Sequence, residues 1–194
     1  MPLQLPRPII YPITSGRATP PEILRFLQAV VTAQLPLFQI REKSLPARVL
    51  YDLTVRAVEI TRGSKTRLLI NDRADIALAA GADGVHLTAR SLPADVARNI
   101  CGPEFLIGVS THSLAEARAA QVGGADFVVF GPVFDTDSKR AFGEPQGLEK
   151  LREVTSALGE FPVIAIGGVT RENAEACMTA GASGYAGISM FEEL

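Results

Sequence analysis

Eight short apolar, β-branched runs follow one another along the 194-residue chain, and each leads into a stretch of helical pattern. The runs are "IIYPIT" (9–14), "LFQIRE" (37–42), "RLLIN" (67–71), "GVHL" (84–87), "FLIGVS" (105–110), "FVVFG" (127–131), "PVIAIG" (162–167) and "GYAGIS" (184–189). Parallel strands need crossover connections of a dozen or more residues, usually a helix, so this alternation predicts a parallel sheet wrapped in helices. Eight units without a charged or low-complexity linker predict a closed (β/α)8 barrel, one domain over residues 1–194. A doubly wound open sheet is the alternative, but "ITSGRATPP" after the first run is not a glycine-rich dinucleotide fingerprint.

The intervening stretches carry apolar residues at helical spacing. Ile23, Leu24, Leu27, Val30 and Val31 form one stripe and Leu92, Val96 and Ile100 another, both expected to face the sheet. "SLPA" occurs at Ser44 and at Ser91, where the serine is expected to cap a helix with proline in its first turn. "SLAE" from Ser113 predicts a capping box with Glu116. "AGADGV" from Ala80, "GGADFV" from Gly123 and "AGASGY" from Ala180 each offer a glycine able to end a helix in the left-handed conformation before a strand. Only "MFEEL" follows the eighth run, so the final outer helix is expected to be short or missing. The N-terminal segment or a partner subunit would then cover the first and last strands, unless the chain has been cut short.

A net charge of −2 and a pI near 5.7 supply no basic field for nucleic acid, so an anionic ligand must be held by local groups. No apolar run approaches the ~20 residues that span a bilayer, and "MPLQLPRPII" lacks the charged and apolar regions of an export signal. Cys101 and Cys177 stand apart, without metal or redox spacing, as expected in a cytoplasmic protein.

Barrel chemistry gathers at the carboxyl ends of the strands. There the second run presents Gln39, Arg41 and Lys43 in period-two alternation, an amide and two cations aimed at an anion or else paired with Glu42 or Asp72. Asn71 and Asp72 end the third run, as ligands for metal and phosphate or, for Asp72, as a helix cap. Ser110 ends the fifth run and His112 follows it; His86, within the fourth, reads as a satisfied core histidine. Thr136, Ser138 and Lys139 after the sixth run form a candidate phosphate cradle. Gly167 and Gly168 after the seventh, with Ile188 and Ser189 at the eighth, offer backbone N–H groups where many such barrels bind phosphate.

Taken in order, "QIREK", "INDRADIALAAGADGVHL", "IGVSTHS", "GPVFDTDSK" and "AIGG" resemble the family of thiamine phosphate synthase and its paralogue TenI, a thiazole tautomerase. The resemblance implies a homodimer acting on small phosphorylated substrates. In a synthase, which joins a pyrimidine pyrophosphate to a thiazole phosphate and releases pyrophosphate, Gln39 would touch the pyrimidine. Arg41, Lys43, Asn71 and Lys139 would hold the pyrophosphate; Ser110, Thr136 and Ser138 would line the substrates; and Gly168, Ile188 and Ser189 would bind the thiazole phosphate.

Two departures bear on the activity. The family's magnesium is held by two aspartates, matching Asp72 and Ser91; "TARS" stands where a synthase has "GQxD", so the Mg²⁺ site is expected to be weakened. That loop and "VFDTDSK" lean toward the TenI branch, the leading expectation, with thiazole tautomerisation or a related accessory step as the activity. Yet the tautomerase histidine falls at Pro132, which leaves His86, His112 or a substrate phosphate as candidate bases. Synthase activity and a non-catalytic phosphate-ligand sensor are the two alternatives.

Overall fold

The computed structural model describes residues 5–135 and 144–191. Strands β1 (Ile9–Pro12), β2 (Leu37–Ile40), β3 (Arg67–Asn71), β4 (Gly84–Leu87), β5 (Leu106–Thr111), β6 (Phe127–Phe130), β7 (Val163–Ala165) and β8 (Gly184–Gly187) coincide with the eight apolar runs to within two residues at either end. Between them lie α1 (Pro20–Thr32), α2 (Ala47–Thr61), α3 (Ala74–Ala80), α4 (Ala94–Cys101), α5 (Leu114–Val122), α6 (Gly147–Leu158) and α7 (Ala174–Thr179). All sheet pairings are parallel, in the order β1-β8-β7-β6-β5-β4-β3-β2. The remaining seam is closed by a bridge between Ile13 and Gln39, where the Thr14 N–H donates to the Gln39 carbonyl at 3.0 Å. The molecule is the expected (β/α)8 barrel.

Period-two alternation divides the strand residues between two apolar layers. Tyr11, Ile13, Leu37, Leu69, Phe127 and Ile164 fill the barrel interior, while Phe38, Ile40, Leu68, Ile70, Val85 and Val128 pack outward under the helices. The repeated glycine does what its sequence setting predicts. Gly81, at φ +77°, ends α3, and the Ala82 N–H returns to the Ala77 carbonyl at 2.9 Å, six-to-one closure of the Schellman kind. The aspartate that follows in two of the repeats ties the chain entering one strand to the strand before it. Asp83 accepts the Leu68 N–H and Asp126 the Ile107 N–H, at 2.8 and 2.7 Å. Arg98 of α4 joins this lower face, donating to Asp126 and to the carbonyls of Gly102, Phe105 and Gly124.

Three local expectations need correction. Leu92, Val96 and Ile100 face solvent, at 52, 36 and 61 % exposure. A competing stripe of small residues, Ala94, Ala97 and Cys101, sets the phase of α4 and lets it lie close to the barrel. Second, neither Ser44 nor Ser91 caps a helix. The first helical bonds end on the proline carbonyls, from Leu50 N–H to Pro46 and from Ala97 N–H to Pro93, both at 3.0 Å, so the prolines are the N-caps. Third, Asp72 does not cap α3, whose N-cap is Arg73.

The "SLAE" box forms with a one-residue offset. Ser113 Oγ accepts the Glu116 N–H at 3.2 Å, whereas the Glu116 carboxylate takes the N–H of His112 at 2.7 Å. After β8 the described chain makes a 3-10 turn, Ser189–Phe191. A cavity of about 340 Å³ opens beside it against α1, lined in part by Ile13, Ile23, Phe26, Ile188 and Phe191. Cys177 is buried and its thiol is pushed up to about 11 by that burial; Cys101 is half-buried and raised for the same reason. Among the described residues no helix is long and apolar enough to cross a membrane.

Candidate active site

The inward faces of three strands place a polar column at the heart of the barrel. Tyr11 of β1, fully buried, brings its hydroxyl to 3.4 Å from His86 Nδ1 of β4, and His86 Nε2 lies 2.8 Å from Ser110 Oγ of β5. One ring nitrogen donates and the other accepts, so both are satisfied by a neutral imidazole. Burial, and secondarily the charge of Arg41, pushes the His86 pKa down to about 3. Burial also raises the Tyr11 phenol well above its ordinary value. His86 is therefore a satisfied interior histidine, linked through Nε2 to the half-buried Ser110 hydroxyl near the end of β5.

Glycine makes this column sterically feasible. A Cβ on Gly108 would stand 2.4 Å from the Phe127 ring and 2.9 Å from His86 Nδ1. Phe127 in turn meets Tyr11 edge-on, with ring centroids 5.7 Å apart.

On one side of the column, β2 and β3 deliver the polar set read from "QIREK" and "NDR". Gln39 is buried and its Nε2 donates to Asn71 Oδ1 at 3.3 Å. Arg41 lies just past the end of β2, its N–H held by Thr14 Oγ1 at 2.8 Å. Lys43 is exposed, so the strand alternation does not extend to it. Partial desolvation, then Arg41 and Arg90, lower the Lys43 pKa against the opposing pull of Asp72. Glu42 turns inward and accepts the Gly16 N–H at 3.2 Å, steadying the β1 loop. Asp72 takes a left-handed φ of +64° and donates its N–H to the His86 carbonyl at 2.9 Å, which locks the ends of β3 and β4 together.

After β4, "TARS" forms a closed turn. The Ser91 N–H donates to the Thr88 carbonyl at 2.9 Å, and Ser91 Oγ accepts the Thr88 N–H at 2.7 Å and lies 3.1 Å from Thr88 Oγ1. The serine hydroxyl is spent inside its own turn. Among the described residues no three His, Cys, Asp or Glu side chains gather to hold a metal. Magnesium favours carboxylate oxygens, and with an uncharged, engaged hydroxyl in place of the second carboxylate these residues do not fit a preformed magnesium site.

Across the mouth, the loop after β7 is pressed against the loop after β6. Gly167 and Gly168 have φ of +94° and +63°; a Cβ on the first would fall 2.5 Å from Pro132 Cα, and one on the second 2.5 Å from the Asp135 carbonyl oxygen. Their carbonyls are engaged, by the Phe134 N–H and by Asn173 Nδ2, both at 2.9 Å. No hydrogen bond among the described residues takes the N–H of either glycine. Ile188 is half-buried and Ser189 opens the 3-10 turn, so the β8 end flanks this cradle. Pro132 lies between the cradle and His112, whose Nδ1 is bonded to the Gly131 carbonyl.

The sequence-derived candidates thus fall into two groups around Ser110: Gln39, Arg41, Lys43, Asn71 and Asp72 on the β2–β3 side, and Gly167, Gly168, Ile188 and Ser189 on the β7–β8 side. Thr136, Ser138 and Lys139 lie outside the described residues. Sequence reasoning missed Tyr11, Thr14 and Arg90. Tyr11 was legible in principle, because alternation in "IIYPIT" puts it on the same face as Ile9 and Ile13.

Comparison with known proteins agrees with this architecture. Residues 10–191 match a family described as "Thiamine monophosphate synthase". A "Putative thiamine-phosphate synthase" of Geobacter sulfurreducens is 46 % identical over 168 residues, 87 % of this chain and 78 % of the relative. A "Putative thiamine-phosphate synthase 2" of Aquifex aeolicus is 41 % identical over 191 residues, covering 98 % of this chain and 100 % of its own. The solved "Thiamine phosphate pyrophosphorylase" of Pyrococcus furiosus superposes with a TM-score of 0.82 at 35 % identity, over 93 % of this chain and 85 % of its own. The chain belongs to the family of thiamine phosphate synthase and TenI, and it is an enzyme.

Proposed function

We propose that the enzyme acts in thiamin biosynthesis as a thiamine-phosphate synthase, coupling a pyrimidine pyrophosphate to a thiazole phosphate. The observation that carries this reading is the pair of anion-receptive ends across one barrel mouth. Arg41, Lys43 and Arg90 share one end, and the Gly167–Gly168 turn, whose N–H groups have no partner among the described residues, forms the other. Two phosphorylated substrates meeting between them is what such a layout serves.

In the transfer, the thiazole ring nitrogen supplies the electron pair for a new N–C bond to the pyrimidine methylene. The C–O bond to pyrophosphate breaks, and pyrophosphate departs with that bond's electron pair. Arg41 and Lys43 would offset the charge developing on the leaving oxygens, a stabilisation that grows toward the transition state. Gln39 and Asn71, held to each other, would present fixed polar edges to the pyrimidine side. Ser110, steadied by His86, would orient the reacting carbon between the two ends.

The names of the relatives favour this reading over the tautomerase. So does the histidine chemistry. A tautomerase needs a base, yet Pro132 stands at the expected histidine position. His86 is buried with a pKa near 3, and His112 spends Nδ1 on a backbone carbonyl. Purified enzyme given both substrates should form thiamine phosphate and pyrophosphate in equal amounts. A change in the tautomer ratio of thiazole carboxylate phosphate, without synthase product, would instead favour the TenI reading; binding of thiazole phosphate without either reaction would favour a sensor.

A further inference from the structure

The turn after β4 leaves an unexplained cation. Thr88–Ser91 closes on itself through four hydrogen bonds, including the long Arg90 N–H to Thr88 Oγ1 contact of 3.4 Å. That turn fixes the backbone of Arg90 while its side chain remains exposed. Among the described residues no carboxylate pairs with its guanidinium.

Strand register places this turn at the pyrophosphate side. Gln39 pairs with Leu69 and Asn71 with His86, and the Asp72 N–H reaches the His86 carbonyl. The loops bearing Arg41, Asp72 and Arg90 are therefore consecutive neighbours at the carboxyl ends of β2, β3 and β4. Arg41 and Arg90 both act on the Lys43 ammonium, and Asp72 is the acid that opposes them there. Three cations facing one carboxylate repel each other in the free protein, and a polyanion relieves that repulsion.

We propose that Arg90 is a pyrophosphate-binding residue, supplying from the protein part of the charge compensation that a metal held by a carboxylate at position 91 would otherwise give. Its planar guanidinium can hold two phosphate oxygens at once, as a point-like ammonium cannot. With an uncharged serine at position 91 and an arginine one residue earlier, this turn offers less to magnesium and more fixed positive charge to a polyanion. This inference rests on the synthase reading, because it assigns Arg90 to that reaction's leaving group.

Calorimetric titration with inorganic pyrophosphate, in EDTA and then in excess Mg²⁺, tests it on the wild type, Arg90→Ala and Arg90→Lys. The wild type should bind in EDTA; Arg90→Ala should bind roughly tenfold or more weakly, and Arg90→Lys should fall between. Circular dichroism of the variants checks that this surface substitution leaves the fold intact. A wild type that binds pyrophosphate only with Mg²⁺, or an Arg90→Ala variant with unchanged affinity in EDTA, would overturn the proposal. Thiamine phosphate formation, measured on the same preparations, separates the two claims. Product formation with Arg90-independent pyrophosphate binding contradicts the role of Arg90 alone, and Arg90-dependent binding without product contradicts the synthase reading alone.

Discussion

His86 Nε2 stands 2.8 Å from Ser110 Oγ, so a hydroxyl near the end of β5 is anchored to an imidazole that burial keeps neutral. This contact couples the interior of the barrel to the strand ends and gives the site a measurable pH signature.

For His86 the folded pKa, about 3, lies below the ordinary value of 6.5. The unfolded chain therefore binds a proton that the native state refuses. Stability from this residue is complete above pH 6.5 and is lost as pH falls toward 3. Between pH 8 and pH 5 the wild type should lose about 2 kcal/mol that a His86→Gln variant does not lose. Urea unfolding at the two pH values measures the difference; equal losses in both proteins would show that His86 is protonated in the native state.

Gly108→Ala puts a methyl group into the Phe127 ring and against His86 Nδ1. The overpacking should cost about 1–3 kcal/mol and lower the melting temperature by several degrees. Because the same methyl displaces His86, kcat should fall beyond what stability explains when assayed well below the melting point.

Gly168→Ala meets both a positive φ and the Asp135 carbonyl oxygen at 2.5 Å. Distorting this turn should weaken binding of the thiazole phosphate roughly tenfold or more, in keeping with backbone strain of about 1–3 kcal/mol. Pyrophosphate affinity, carried by the opposite end of the mouth, should stay within about twofold. Parallel titrations with the two ligands distinguish this local effect from general damage.

Much of this molecule was legible in its sequence because strand and helix periods differ. The eight runs, the barrel and the left-handed glycine of the "AGADGV" repeat stand where pattern reading puts them, whereas Lys43 lies beyond the alternation of β2 and Asp72 caps no helix. The errors have a common origin in choices that local sequence leaves degenerate. In α4, both Leu92-Val96-Ile100 and Ala94-Ala97-Cys101 have helical spacing, and close packing against the barrel selected the small stripe. In "SLPA", serine and proline both suit a helix start, and the carbonyl that accepts the first helical bond belongs to proline. Ser91 consequently serves its own turn rather than a helix, which leaves Arg90, unremarkable in sequence, as the charged outward-facing member of "TARS".

The most direct measurement of the central claim is mass-spectrometric detection of thiamine phosphate from purified enzyme supplied with pyrimidine pyrophosphate and thiazole phosphate, with pyrophosphate quantified in the same samples. The account predicts stoichiometric release of both products, with Arg41→Ala and Lys43→Ala each reducing kcat by roughly 10²-fold or more through loss of charge stabilisation at the leaving group. Absence of thiamine phosphate while both substrates bind would contradict it.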